Sequence, residues 1–353
     1  MAERGAYNFA AGPAAIPAPV LARAREQLFA GGKGGGLLER PFSHPDTRAL
    51  IAGARRTLAR LLDLPDSHRI LFLAGGASHQ FAAVPLNLLE GTEPAVYYDS
   101  GYWARRAHGE AARFGTALLR ALPDGRGEPL PDDTAYCHLT LNETADGRAW
   151  PSLPDCGTVP RVADATSCFL AGPLDCARFG LLYASAQKNI GPPGLCVVIV
   201  REDLLARPAS RAPATWSYRR QAEQDSCVNT PPLAEILLAS LVFEWIGEEG
   251  GLAALAERNR RKAALLYAAI DDSAGFYRAV VDGAWRSITN VCFRLADPAR
   301  EADFLAAAEA AGLHHLRGHA QVGGMRASLY NAMPEAGARA LADFMDDFRR
   351  RHG

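Results

Sequence analysis

The chain has 353 residues, 48% of them hydrophobic and 22% charged, with a formal net charge of −1 at pH 7. Such a composition supports a sizeable core in one large domain or a large and a small one, and the balanced charge without a basic stripe disfavours nucleic acid and anionic membranes as partners. No apolar run approaches the roughly 18 residues that span a bilayer, the opening Met-Ala-Glu-Arg-Gly lacks an apolar signal core, and seven scattered cysteines form no CxxC pair, so a soluble cytoplasmic protein with reduced thiols is expected.

In chain order, residues 18–30 and 47–62 carry amphipathic helical spacing, with a Gly-rich bend at 31–36 between them. Short apolar runs then alternate with helical patterns: a strand at 69–73 and a helix at 78–89, a strand at 95–99 and a helix at 102–114. Further strands are expected at 135–141, 161–163, 181–184 and 195–200. That alternation predicts an α/β layer with a mostly parallel sheet between helices. A buried helix at 231–247 and a long one at 252–270 follow. Beyond them a strand at 290–295, a helix at 301–311, short strands near 313–316 and 325–330 and a last helix at 335–350 predict a smaller α+β unit. The expected division is a large domain over 15–250 and a small C-terminal domain over 251–353, joined by the segment 1–14.

Ligands of an open α/β sheet sit beyond the carboxyl ends of its strands. The polar and Gly-rich segments gather there: Gly75-Gly-Ala-Ser-His, Asp99-Ser-Gly-Tyr-Trp, Asn142-Glu-Thr, Asp164-Ala-Thr-Ser and Ser185-Ala-Gln-Lys. Lys188 in the last of these is one of three lysines, with Lys33 and Lys262, among 38 basic residues. An exposed ion-pairing lysine can become arginine at little cost. A lysine that must shed its proton and attack a carbonyl cannot. The Gly75 turn offers backbone N–H groups suited to a phosphate or simply a tight strand-to-helix connection. Asp164 reads as a helix cap or as the partner of a protonated ring nitrogen, and Trp103 as core or as a stacking ring. Taken together, an imine-forming lysine, a ring-nitrogen aspartate, a stacking aromatic and a phosphate turn describe a pyridoxal phosphate site. The bend around Lys33 lacks the order of a P-loop. His315 and His319 lack a third ligand, so no metal is expected.

On its stretches Asn8-Phe-Ala-Ala-Gly-Pro, Gly75-Gly-Ala-Ser-His-Gln-Phe, Ser100-Gly-Tyr-Trp, Asn142-Glu-Thr-Ala-Asp-Gly, Ala186-Gln-Lys-Asn-Ile-Gly-Pro-Pro-Gly, Asn229-Thr-Pro-Pro and Gly323-Gly-Met-Arg-Ala-Ser-Leu-Tyr-Asn-Ala, the chain resembles phosphoserine aminotransferases, in the class V group of fold-type I pyridoxal phosphate enzymes. The resemblance implies that Lys188 holds the cofactor as an imine and moves the proton, Asp164 pairs with the pyridinium nitrogen, Trp103 stacks and Thr144 bonds the phenolic oxygen. It further implies a phosphate site of Ala77, Ser78 and Gln187, completed by Asn229 and Thr230 of a second subunit in a homodimer with shared active sites. Arg326 would take the substrate α-carboxylate.

Two departures bear on the substrate, a small-molecule amino donor and a keto or carbonyl acceptor. The family reads Ser-His-Arg where this chain has Ser43-His44-Pro45, and Gly-His-Arg where it has Gly318-His319-Ala320. Those arginines hold the distal phosphate or carboxylate. Losing two charge-assisted bonds costs about 3–6 kcal/mol, on the order of 10²–10⁴ in kcat/KM. With His44, His319 and His79 left, a polar, weakly charged distal pocket is expected, and with it a non-phosphorylated substrate in specialised metabolism such as antibiotic biosynthesis. The alternative is the phosphoserine aminotransferase of serine synthesis itself. Cysteine desulfuration is not expected, because Cys292 lies inside a strand pattern. A cofactor-sensing regulator is not expected either, since the matching stretches begin by Asn8.

Overall fold

The computed structural model describes residues 6–31, 35–122 and 129–353. The opening five residues and Lys33 of the Gly-rich bend lie outside them. The first half of the chain runs β1 (Tyr7–Asn8), α1 (Ala18–Leu28), α2 (Pro45–Leu61), β2 (His68–Gly75), α3 (Ala77–Leu88), β3 (Ala95–Tyr98), α4 (Tyr102–Ala111), β4 (Ala117–Arg120), β5 (Tyr136–Thr140), β6 (Asn142–Glu143), β7 (Arg148–Ala149) and β8 (Arg161–Asp164). The second half runs β9 (Leu181–Ser185), β10 (Gly194–Arg201), α5 (Glu202–Leu205), α6 (Tyr218–Glu223), α7 (Leu233–Glu248), α8 (Gly251–Asp271), β11 (Tyr277–Ala279), β12 (Asn290–Leu295), α9 (Glu301–Ala310), β13 (Leu313–His314), β14 (Met325–Ser328) and α10 (Glu335–His352).

Seven strands form one sheet in the order β2-β10-β9-β8-β5-β3-β4. The five from β9 to β4 pair in parallel, while β10 runs antiparallel to both β9 and β2. Two reversals in succession return the carboxyl end of β2 to the edge where the parallel strands end. The mixed, mostly parallel sheet between helices is the expected one.

Its strands are apolar because both faces are covered. In β10, Leu195, Val197 and Ile199 join the core under α1, α2 and α7, and Cys196, Val198 and Val200 join the core under α3, α4 and α6, the period of two that a pleated strand imposes. β4 was not anticipated. It is an edge strand whose Leu118 and Leu119 are exposed, so it carries no buried run to read. Helix α2 starts two residues earlier than the spacing suggests, at Pro45, because proline fits the first helical position, where its missing N–H is not needed.

Gly250 and Gly251, with φ of 92° and 78°, turn the chain from α7 into α8. Beyond this point a second core forms from Leu266, Ile270, Phe293, Phe304, Leu341 and Phe348, joined by Phe9 from the start of the chain. Its antiparallel sheet has the order β11-β12-β14, and β1 pairs in parallel with β13. No helix among the described residues is long and apolar enough to cross a membrane.

Lys262, in α8, is fully buried, and its Nζ donates to the carbonyl oxygens of Leu329, Tyr330 and Met333, each at 2.9 Å. Burial pushes its pKa down to about 7. The three acceptors oppose that push, since a neutral amine has one donor too few for them. Arginine cannot substitute, because a planar fork does not address three carbonyls around one point. Lys262→Met should remove the ammonium donor from three carbonyls, of which Tyr330 keeps the Met333 N–H, and destabilise the fold by about 3 kcal/mol or more, read as a lower urea midpoint, and Lys262→Arg should not restore it.

Candidate active site

The carboxyl ends of β2, β5, β8 and β9 and the turn that opens α4 meet around a cavity of about 490 Å³. All five polar segments singled out in the sequence contribute to it or to its walls.

Lys188 follows β9 in the turn before β10. Its Nζ donates to the hydroxyl of Thr144 and lies 5.8 Å from the ring centre of Trp103. Burial lowers its pKa to about 8, with Asp164 raising it and the nearby Arg326 charge lowering it further. Asp164 ends β8 and is 5% exposed. One carboxylate oxygen accepts the Thr166 N–H at 2.9 Å. Burial raises its pKa, against the Thr166 hydrogen bonds and the charge of Lys188. No cation bonds this carboxylate among the described residues, so the group is suited to a positively charged N–H arriving with a ligand.

Ala77 and Ser78, which line the same cavity, open α3, where the first N–H groups of a helix have no intrahelical partner and favour an anion. Gln187 lies beside them, its amide oxygen taking the Ser185 hydroxyl. His79, expected near the substrate, instead accepts the Gly76 N–H through Nδ1 at 3.2 Å and sits edge-on to Trp216. It also lines the cavity.

Two buried polar atoms here lack partners, Trp103 Nε1 and Thr140 Oγ1. Such atoms require an occupant. An amine near neutrality, an unpaired carboxylate, anion-seeking helix amides and these orphans together fit pyridoxal phosphate. Among the described residues no cluster of His, Cys, Asp and Glu could hold a metal.

The remaining predicted residues divide. Arg326, on β14, donates through Nη1 to the Thr144 carbonyl at 3.0 Å, which brings it to the rim. The His319 ring lies 4.5 Å from Tyr102 and 6.1 Å from Trp103. Burial lowers its pKa, as do the charges of Arg326 and Lys188. His44 does not reach the cavity of its own chain; its Nδ1 accepts the Asp46 N–H at 3.2 Å and caps α2. Asn229 and Thr230 are exposed and do not line this cavity, though Asn229 lines a smaller one that shares His79 with it. Arg48 is exposed and near enough to Cys227 to bias its thiol.

Sequence reasoning gave no role to Glu143, which is fully buried and accepts the N–H groups of Trp103 and Ala104 at 2.9 Å each. A carboxylate beside two strand-end polar residues, with a glycine-led helix elsewhere lacking its own cap, was the available signal.

A buried lysine, a buried aspartate on the neighbouring strand and a helix-end anion site at one edge of a mixed sheet define a pyridoxal phosphate-dependent aminotransferase of fold type I. The family model described as Aminotransferase class-V matches residues 6–341. The phosphoserine aminotransferase of Acidithiobacillus ferrooxidans is 46% identical over 357 residues, covering 98% of this chain and 99% of the relative. Among solved structures, the phosphoserine aminotransferase from Bacillus circulans subsp. alkalophilus superposes with a TM-score of 0.95 at 42% identity, covering 99% of each chain. A pyridoxal phosphate-bound phosphoserine aminotransferase from Trichomonas vaginalis superposes with a TM-score of 0.91 at 35% identity, covering 97% of this chain and 99% of that one. The chain belongs to the phosphoserine aminotransferase family of class V aminotransferases.

In cofactor-free protein the Lys188 amine should lose its proton around pH 8 rather than near 10.5. The rate of reconstitution with pyridoxal phosphate should therefore rise through a midpoint near pH 8. Lys188→Ala should gain no visible band near 410 nm (roughly, the position expected of a cofactor bound through an amine).

Proposed function

We propose that this chain transfers the amino group of glutamate to 3-phosphohydroxypyruvate, giving 2-oxoglutarate and O-phosphoserine, as the names of its relatives suggest. The observation that carries the reading is the placement of Arg326 against Thr144, the residue whose hydroxyl takes the Lys188 amine. A substrate α-carboxylate held by that guanidinium has its Cα–H within the reach of Lys188.

Each side chain then has a task. Bound between the α3 amides and Asp164, pyridoxal phosphate supplies an electron sink for the pair left when the Cα–H bond breaks. Asp164 keeps the ring nitrogen protonated, because a buried carboxylate is stabilised by that cation. Lys188 accepts the Cα proton as a free amine and returns it. A base with a pKa of about 8 is matched to proton transfer near neutrality. Thr144 orients the amine, and Trp103 covers the ring and excludes water. Asn229 and Thr230, exposed in the single chain, complete the phosphate site of a second copy, which makes the working unit a homodimer.

Pro45 and Ala320 favour a second reading, a non-phosphorylated substrate in specialised metabolism such as antibiotic biosynthesis. Neither position carries a cation, and burial and nearby positive charge hold His319 toward its neutral form. Imidazole then offers the distal group a hydrogen bond rather than a charge.

Steady-state kinetics with glutamate and 3-phosphohydroxypyruvate decide between them. Rapid turnover at micromolar acceptor supports the first reading, whereas turnover found with an uncharged 2-oxo acid and absent with the phosphorylated one supports the second. Under either, Ala320→Arg should raise kcat/KM for 3-phosphohydroxypyruvate about 10-fold or more, the worth of one charge-assisted bond.

A further inference from the structure

Helix α4 begins with Gly101 as its cap and no side chain of its own segment closing it. Its first N–H groups would be unpaired in buried surroundings, which a helix end does not tolerate cheaply. They are closed from 40 residues away. Glu143 Oε2 accepts the N–H of Trp103 at 2.9 Å, and Oε1 accepts the N–H of Ala104 at 2.9 Å and the Ser100 hydroxyl at 3.2 Å. The carboxylate has no exposure to water, so these bonds are its whole solvation. The approach is tight enough to select glycine at position 101. A Cβ there would lie 2.9 Å from the carboxyl carbon of Glu143, on a backbone with φ of +156°.

The next residue along the chain is Thr144, whose hydroxyl takes the Lys188 amine and whose carbonyl takes Arg326. Two consecutive residues therefore hold the backbone of the stacking tryptophan, the amine and the carboxylate-binding guanidinium. Burial outweighs its three hydrogen bonds and holds the Glu143 carboxyl up at about 7.

We propose that Glu143 is a positioning residue of the active site: by clamping the first turn of α4 it sets the plane in which Trp103 covers the cofactor ring, in register with the amine held by Thr144. The proposal rests on the reading of Trp103 as the residue over that ring.

Glu143→Gln in the holoenzyme is the first test, since the amide keeps one acceptor and turns an N–H₂ toward an N–H. Gly101→Ala is the second, disturbing the same carboxylate from the helix side. Both should fold, by far-ultraviolet circular dichroism. The visible circular dichroism of the bound cofactor should fall by about half or more, its dissociation constant should rise about tenfold, and kcat should drop while KM for the amino donor, held by Arg326, changes less than about twofold. If both variants melt earlier but keep the wild-type visible dichroism and cofactor affinity, Glu143 is a structural cap and the proposal is overturned. Trp103→Ala separates the two layers. A changed visible band in that variant, with none in Glu143→Gln or Gly101→Ala, removes the proposal alone; an unchanged band removes the reading of Trp103 and the proposal with it.

Discussion

An amine drawn out of water gives up its proton more easily, and at Lys188 burial brings the pKa to about 8. Desolvation that deep has to be balanced, or the loop carrying the lysine would turn back toward solvent. The sheet supplies the balance. Asp164 comes from the adjoining strand end, and Thr144 follows the next strand over and offers its hydroxyl. The amine and the carboxylate are each unfavourable as an isolated buried charge. Burial lowers the pKa of the amine and raises that of the carboxylate, and the charge of each opposes that shift in the other, the kind of perturbed pair found where protons are moved. The topology ends several strands at one edge, and the double reversal through β10 adds the turn after β2 to that edge.

The same few residues also join the two cores. Asn142 donates to Asn290 on β12 at 2.8 Å, and Asn290 in turn donates to Ser328 at 3.1 Å and to the Tyr330 hydroxyl at 3.2 Å. Tyr330 passes its own proton to the carbonyl of Ala11 at 2.9 Å. A buried, fully paired chain of amides and hydroxyls is stiff, because any displacement leaves a polar group without a partner. Arg326 lies on the strand registered against β12, so its distance from Lys188 is set by this network and not by loop packing. The segment 142–144 thus reaches the second core through Asn142, the stacking helix through Glu143, and the amine and guanidinium through Thr144.

How legible this was depended on what each residue contributes to pattern. Buried strands such as β8, β9 and β10 announce themselves as apolar runs, and Lys188 and Asp164 were findable because each stands at the end of one. β4 was not, since an exposed edge strand has no run. Glu143 was overlooked because its role is a partnership across sequence with a glycine-led helix, and neither half is unusual alone. His79, read as a substrate neighbour, lines the cavity and also accepts the Gly76 N–H through Nδ1. His44 likewise closes a helix. The scarcity of lysine was informative twice over. Lys188 needs a proton that can leave, and Lys262 needs a compact head for three carbonyls. Both are properties that arginine lacks.

Chemistry and substrate choice are anchored with unequal strength. Glu143 is fully buried and closes three donors, Asp164 is buried on the Thr166 N–H, and the part-buried Lys188 is bonded to Thr144, so exchanging any of them unpairs a polar group of the interior. Pro45 and Ala320 are exposed. Proline suits the opening of α2 without help, and the turn holding Ala320 is closed by backbone bonds from Val322 and Gly323 to the His319 carbonyl, whatever side chain stands between. A charged side chain can therefore be gained or lost at either position with almost no consequence for folding. A fold built this way ties its buried polar groups together while tolerating single substitutions at positions 45 and 320, which lie where change is least constrained.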